Sequence, residues 1–591
     1  MIRRIDWPTR LPLMLFGVAV LAALVVALWL PFGWKVTGLY EEWLIMRDAD
    51  AGNPLRMLYE PPYVSAAYRP LTLAPFVLGY LLTPDSFLGL NIIEMLVLFG
   101  KGAAMYLLVR RLVPDNRALA FVSAVLLVVY PADTALLTLR TTNVHAGVFF
   151  LLVAVNLLVA VSQRFRWTTL LSMLLAEAIA LATYEAGILV MLGGPALLVW
   201  MRQGIDRRLV AVTALWTGVS MYFLFHLVLT LRDPSSYPAG LLAGSGLDAN
   251  FQEILRSWLY SVARAYVRTF GTSWYVALRE QDWRAAHLYL AAGLTVFLIM
   301  PVVWLHARRD EEDKPVVDTR RYLGLAALAV VAVVAGMALY LPTGWRNSNW
   351  RVFLYSSIGA ALAVSIGCFL VARLFGEWRR VVFLGVTSLL IGIATLHALA
   401  QHQGYFDYAQ RQQNILAGII GRAPHFEPGT TVLLVDRTPT AVLKAWSMCT
   451  AVSPCLEAAL RYIYGDHSLT ALYCAPDYRP RGQFSEECRF EGDNLTVSYV
   501  YPGSKKRMLS VSPYSSLVVL ENSVRGVNLV SHVGVDGSDS AANAYKPGSR
   551  IDLSSPMPPR AHTVFTRWPF ELADPRLDQD NRGPATCSPL C

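Results

Sequence analysis

Charge is what this sequence has least of. Asp, Glu, Lys and Arg make up 16% of its 591 residues against 55% hydrophobic, and mean hydropathy is +0.42. A soluble domain carries about 25% charged residues, so a soluble globular chain is excluded. There is no CxxC pair among the seven cysteines, which removes the usual zinc-binding framework. There is neither a Walker A motif nor a GxGxxG run following a strand, so no loop is built for nucleotide phosphates. No internal repeat is found, inverted or otherwise, which argues against a repeat-built transporter. The first apolar run, Leu11 to Trp34, lacks a small-residue cleavage site and is too long for a signal-peptide core, so it reads as a retained helix.

What is present is a series of apolar runs of about 20 residues, the length that crosses a bilayer as a helix. Eleven spans fit, at 12–34, 87–109, 117–136, 144–163, 168–186, 187–202, 209–231, 286–306, 322–341, 352–375 and 381–400. The formal charge of +9 could point to nucleic acid. Its placement points elsewhere: Arg3, Arg4 and Arg10, Arg110 and Arg111, Arg164 and Arg166, Arg207 and Arg208, Arg308 and Arg309, and Arg379 and Arg380 fall in alternate short loops. That is the positive-inside pattern, and it sets the N-terminus in the cytoplasm with no nucleic-acid partner. Two long loops, 35–86 and 232–285, then lie outside. The second contains "NFQEILRSWLYSVARAYVRTF", which reads as an amphipathic helix in the membrane interface.

After Ala400 no further span occurs, and strand-like runs such as "TTVLLVD" and "SSLVVLE" appear. Residues 1–400 are therefore expected to form the membrane domain and 401–591 an extracytoplasmic α/β or α+β domain. Six of the seven cysteines lie in that second part: Cys449, Cys455, Cys474, Cys488, Cys587 and Cys591. An even number in an oxidising compartment favours up to three disulfides, with the pairing open.

The scarce charges are not scattered. "GLYEEWLIMRDADAG" (38–52) packs Glu41, Glu42, Asp48 and Asp50 into ten residues beside the first span. As a helix it would align Glu42 with Ile45, Met46 and Ala49, so that Glu42 alone interrupts an apolar stripe. A carboxylate there, next to Glu41, suits a general base that takes a proton from a hydroxyl. The competing reading is an interfacial helix with a solvated acidic face. Arg69, fixed before a proline in "AAYRPL", would fork onto a phosphate or anchor to lipid headgroups. Asn91, Glu94 and Lys101 lie within the second span, where Glu94 and Lys101 share a face, either as a functional pair or as a structural interhelical one. Three further turns on the outer side carry Tyr130, Asp133, Arg140, Asn143 and His145; Tyr184 and Glu185; and Arg346, Asn349, Arg351 and Tyr355. Acids from some turns and arginines from others, all on one side, predict a convergent site with a base and a phosphate-binding region.

In order, these motifs resemble polyprenyl-phosphate-sugar-dependent glycosyltransferases of the GT-C class, above all the membrane part of the tetratricopeptide-repeat O-mannosyltransferases and their bacterial relatives. The family's aromatic–Asp–Asp motif is matched by Tyr40-Glu41-Glu42-Trp43, and its Tyr-Arg-Pro-Leu by Tyr68-Arg69-Pro70-Leu71. Asn91 and Glu94 follow, then Tyr130-Pro131 with Arg140 and Asn143, then Tyr184-Glu185, then Arg351 to Tyr355. Glu stands where the family has Asp, and Tyr where it has His or Lys. No tetratricopeptide repeats follow, and the resemblance covers about residues 1–400.

The resemblance implies an inverting glycosyltransferase in a bacterial inner membrane. It would move a sugar from a polyprenyl-phosphate donor to a hydroxyl on a glycan, lipid or protein acceptor. Glu41, Glu42 and Glu185 are the expected catalytic residues, with Glu41 favoured by family habit and Glu42 by helical spacing. Arg69, Arg140 and Arg351 are expected on the donor phosphate, with Asp48, Asp50, Asn91, Glu94, Asn143, Tyr184 and Tyr355 in support. No cofactor is required on this reading, and a divalent metal is left open. An O-antigen ligase or polymerase-like transferase, a transporter and a non-catalytic assembly protein remain as alternatives.

Overall fold

The computed structural model describes residues 7–32, 36–60, 69–133, 138–202, 206–232, 251–279, 285–312, 319–341, 343, 351–438, 448–475, 486–491, 494–500, 507–530, 549–567 and 571–572. Eight helices among them are long and apolar enough to cross a membrane: Met14–Phe32, Leu88–Leu112, Leu139–Gln163, Arg207–Leu231, Ala286–Asp310, Thr319–Tyr340, Ser356–Arg373 and Gly376–Arg422. Three shorter apolar helices, Arg117–Val128, Trp167–Thr183 and Glu185–Met201, fall where three of the eleven expected spans lie. The chain is thus a multi-span helical membrane protein. It packs as two compact units, one comprising Met1–Pro31, Tyr63–Pro75 and Ile92–His402, the other Phe32–Pro62, Phe76–Asn91 and Gln403–Cys591.

In the first unit, helix Thr142–Gln163 packs against Trp167–Thr183, to which a short turn joins it, and Thr319–Met337 packs against Ser356–Arg373. Lipid chains are as apolar as leucine, so close packing and interhelical hydrogen bonds hold such a unit together. Asn156, buried, donates to the carbonyls of Ala104 and Leu152 at 2.8 and 2.9 Å. Asp310 accepts from the amides of Arg117 and Ala118, at 2.8 and 3.1 Å, and so caps the short helix that begins there.

The second unit contains a sheet of order β2-β1-β6-β7. The strands β1 (Thr431–Asp436), β2 (Thr470–Cys474) and β6 (Leu517–Ser523) are parallel. Strand β7 (Gly526–Leu529) returns antiparallel to β6. Six consecutive buried residues make up β1, as expected of a central parallel strand covered on both faces. The crossover from β1 to β2 is made through helix Ser453–Tyr464. A separate antiparallel meander is formed by β3 (Glu487–Glu491), β4 (Asn494–Val500) and β5 (Arg507–Pro513). Leu495 and Val497 of the meander share a core with Leu433, Leu472, Leu517 and Val519 of the parallel sheet. Disulfides join Cys449 to Cys455 and Cys474 to Cys488, with Cα atoms 5.0 and 6.0 Å apart. Cys587 and Cys591 lie outside the described residues.

Composition alone suggests a division near residue 400. Packing instead gathers Phe32–Pro62 and Phe76–Asn91, two stretches of the first long loop and its flank, into the same unit as Gln403–Cys591. The acidic segment therefore takes its environment from the C-terminal part of the chain.

Candidate functional site

In the first unit the polar centre is built on Arg69. Pro70 and Leu71 turn the chain: Thr72 N–H donates to Arg69 O at 3.0 Å, and Leu71 N–H donates to Ala182 O at 3.1 Å. The second bond ties this turn to the end of helix Trp167–Thr183, where Tyr184 and Glu185 follow. The Arg69 guanidinium forks onto Glu185, with Nε and Nη2 each 2.5 Å from a carboxylate oxygen, and lies 4.2 Å from the centroid of the Tyr184 ring. Both side chains keep a margin of exposure, 12% and 18%. A bidentate, charge-assisted pair is the strongest arrangement available to these groups.

Tyr184 is shared with other segments. Its ring is stacked near Tyr355 (centroids 6.3 Å apart, 17° between planes), Tyr355 Oη donates to Tyr184 O at 3.2 Å, and Tyr340 Oη donates to Tyr184 Oη at 3.3 Å. Gly147 permits this approach, since a Cβ there would collide with the Tyr355 hydroxyl. Asn143 Nδ2 donates to Thr72 Oγ1 at 2.7 Å. Arg69, Asn143, Tyr184, Glu185 and Tyr355, expected from four separate motifs, are thus in one hydrogen-bonded and stacked group. Arg140 lies half-buried in the turn Leu139–Thr141 just before Asn143. Arg351 begins the turn Arg351–Phe353, and its side chain lies outside the described set, as do Tyr68, Arg346 and Asn349.

A second buried group involves Glu94 and Lys101. The seam expected from their spacing has two further members: Lys101 Nζ lies 3.2 Å from His145 Nδ1, and His145 Nε2 lies 3.8 Å from Glu94 and 3.9 Å from Asp133. All four side chains are at most 3% exposed. The two imidazole nitrogens thus face an amine on one side and two carboxyl groups on the other. His145 and Asp133 stand out in the sequence only as polar residues of one turn, and nothing local pairs them with Lys101.

The second unit holds the acids. Helix Glu41–Asp50 forms as the spacing predicts, and Glu42, Ile45, Met46 and Ala49 are all buried. So are Trp43 and Leu44, and the helix is enclosed on more than one face. Glu42, 1% exposed, turns its Oε2 back to accept the Tyr40 amide at 2.9 Å. Glu41 is half-buried beside it. Asp48 pairs with its neighbour Arg47 at 2.6 Å. Asp50 is bound by Arg560, with Tyr80 Oη at 3.5 Å. Asn91 donates to the carbonyls of Val36 and Phe87 at 2.9 and 2.8 Å, fixing the segment that leads to the acids. Gly38 packs so tightly that a Cβ would meet the Phe87 ring at 2.7 Å and Glu42 Cβ at 2.8 Å. Among the described residues, no group of three His, Cys, Asp or Glu side chains is arranged to hold a metal ion.

Fold and side chains together define a multi-span membrane protein with a disulfide-bonded mixed α/β portion and polar groups gathered in the turns between helices. No protein-family model and no curated protein matches the sequence. Among solved structures the chain is similar to ArnT from Cupriavidus metallidurans, crystallised with undecaprenyl phosphate bound. That alignment covers 71% of this chain and 82% of that chain at 15% identity, with a TM-score of 0.34.

Proposed function

We propose that this chain is an integral-membrane glycosyltransferase that moves a sugar from a polyprenyl-phosphate donor to a hydroxyl acceptor at the outer face of the membrane. The observation that carries the reading is the joining of Arg69, Asn143, Tyr184, Glu185 and Tyr355, residues up to 286 positions apart drawn from four ordered motifs, in one hydrogen-bonded and stacked group. Sidedness is supported by the alternation of basic loops and by two disulfides, which persist in an oxidising compartment. In the reaction, the acceptor oxygen forms a bond to the anomeric carbon as the bond from that carbon to the phosphate oxygen breaks. The acceptor proton passes to the carboxylate of Glu41 or Glu42, and polyprenyl phosphate leaves as an anion. Arginine stabilises the charge that develops on that phosphate. The leaving group needs no proton, so one carboxylate suffices where a glycosidase uses two.

The test is transfer in proteoliposomes containing the purified chain, a panel of polyprenyl-phosphate sugars and hydroxyl acceptors. Consumption of one donor is expected, and Glu41→Gln or Glu42→Gln should reduce it by about 10²- to 10⁴-fold, the usual contribution of a general base. Normal transfer by both variants would remove this mechanism. One observation favours a second reading: Glu185 already neutralises Arg69, as it would in the structural clasp of a non-catalytic assembly protein. In that case no donor is consumed.

A further inference from the structure

The acidic helix Glu41–Asp50 is ten residues long, and within it Glu42 reaches back to accept the amide of the N-cap residue Tyr40. Helices that short do not persist alone. What fixes it comes from far along the chain, and the two ends are fixed separately.

At the N-terminal end stands Gln412, which is fully buried in the helix Arg379–Arg422. Its amide is used at both poles: Nε2 donates to Gly38 O at 2.6 Å, and Oε1 accepts from Cys449 N at 2.6 Å. Gly38 O also accepts Trp43 Nε1 at 2.5 Å, so the carbonyl four residues before Glu42 is held by two donors. Cys449 is tied by its disulfide to Cys455, whose Sγ lies 2.9 Å from Tyr40 O. The Tyr40 amide in turn is the donor to Glu42. At the C-terminal end Arg560 binds Asp50, reaches Asp85 at 3.4 Å, donates to Tyr462 O at 3.0 Å and lies over the Tyr462 ring.

We propose that Gln412 and Arg560 are positioning residues that set the depth and register of the acidic helix, and with it the carboxylates of Glu41 and Glu42. The proposal rests on reading those carboxylates as the proton acceptors. A general base works only when held within a fraction of an ångström of its productive position. Gln412 acts on the backbone just before the pair, and Arg560 stops the helix from sliding or turning about its axis. Gln412→Glu keeps the shape and the acceptor for Cys449 but loses the donor to Gly38. Arg560→Lys keeps the charge and loses the three separate nitrogens that reach Asp50, Asp85 and Tyr462 O.

The full-length chain in proteoliposomes is the material for the test, with hydrogen–deuterium exchange over 38–50 as one readout and steady-state transfer as the other. Each variant is expected to raise exchange in that segment and lower turnover by about tenfold, with KM for the lipid-linked donor within about twofold of the parent. The two variants act at opposite ends of the helix, so failure of one to fold leaves the other to decide. Unchanged exchange in 38–50 overturns the clamp, and raised exchange with unchanged turnover overturns the positioning role. If the parent chain consumes no donor, the glycosyltransferase reading fails, and exchange alone then decides whether the clamp exists.

Discussion

At the scale of a single residue, Arg69 makes three kinds of interaction at once: a two-bond fork to a carboxylate, a cation–π contact with a phenol ring, and a backbone turn held by the proline after it. Lysine can supply the charge but not the planar fork or the stacking. Arg69→Lys is therefore expected to lower kcat/KM for the lipid-linked donor by at least about tenfold, as loss of about 1.5–3 kcal/mol of charged hydrogen bonding implies. Glu185→Gln keeps one acceptor and should cost less, and transfer assays on the two variants side by side check the order. Each of Arg69, Tyr184 and Glu185 is visible in the sequence as part of a motif. Their mutual pairing is not, because a contact across 116 positions leaves no periodicity to read. Gln412 and Arg560 leave even less trace, being ordinary polar residues whose partners lie 374 and 510 positions away.

At the scale of elements, the helix Glu41–Asp50 was legible from its spacing, since Glu42, Ile45, Met46 and Ala49 all point inward. Its surroundings were not. A stripe implies one covered face, as on a membrane surface, whereas burial of Trp43 and Leu44 as well shows enclosure by protein. Trp43 packs edge-on against Phe87 and Tyr462, one of which comes from the C-terminal part of the chain. Tight enclosure makes Gly38 a sensitive position. Gly38→Ala should destabilise the segment by about 1–3 kcal/mol through overpacking, seen as a lower thermal midpoint and faster exchange over 38–50. Gly52→Ala, where a Cβ meets nothing within 4 Å, is the matched control and should leave both unchanged. Hydropathy found the long helices for a plain reason: a bilayer-length apolar run has few other uses.

At the scale of the whole molecule, the second unit is assembled from three stretches of chain, and its stability should depend on pH through Glu486. That carboxyl accepts from the Ser453 amide at 2.9 Å and from its hydroxyl. Burial nevertheless pushes it up to about 8 from its ordinary 4.5, the two Ser453 donors opposing the shift. The folded state thus keeps a proton that the unfolded chain has released. The resulting stabilisation is fully present below about pH 4.5 and is lost as pH rises through about 8. Thermal midpoints of the full chain should fall across that window, and Glu486→Gln, which cannot ionise, should flatten the fall. The compositional change near residue 400 announced a different kind of structure. It could not announce that this structure draws in two stretches from before residue 92, since interleaving of segments has no compositional signature.

The clamp on the acidic helix also imposes a schedule on synthesis. Asp50 leaves the ribosome 510 residues before the arginine that holds it, an interval of roughly 25–100 s at ordinary elongation rates. Until then the helix lacks the arginine that binds its C-terminal end, although Phe87, Gln412 and Tyr462 are made before it. An incomplete chain that stops short of Arg560 therefore carries the acidic helix with its C-terminal end unclamped.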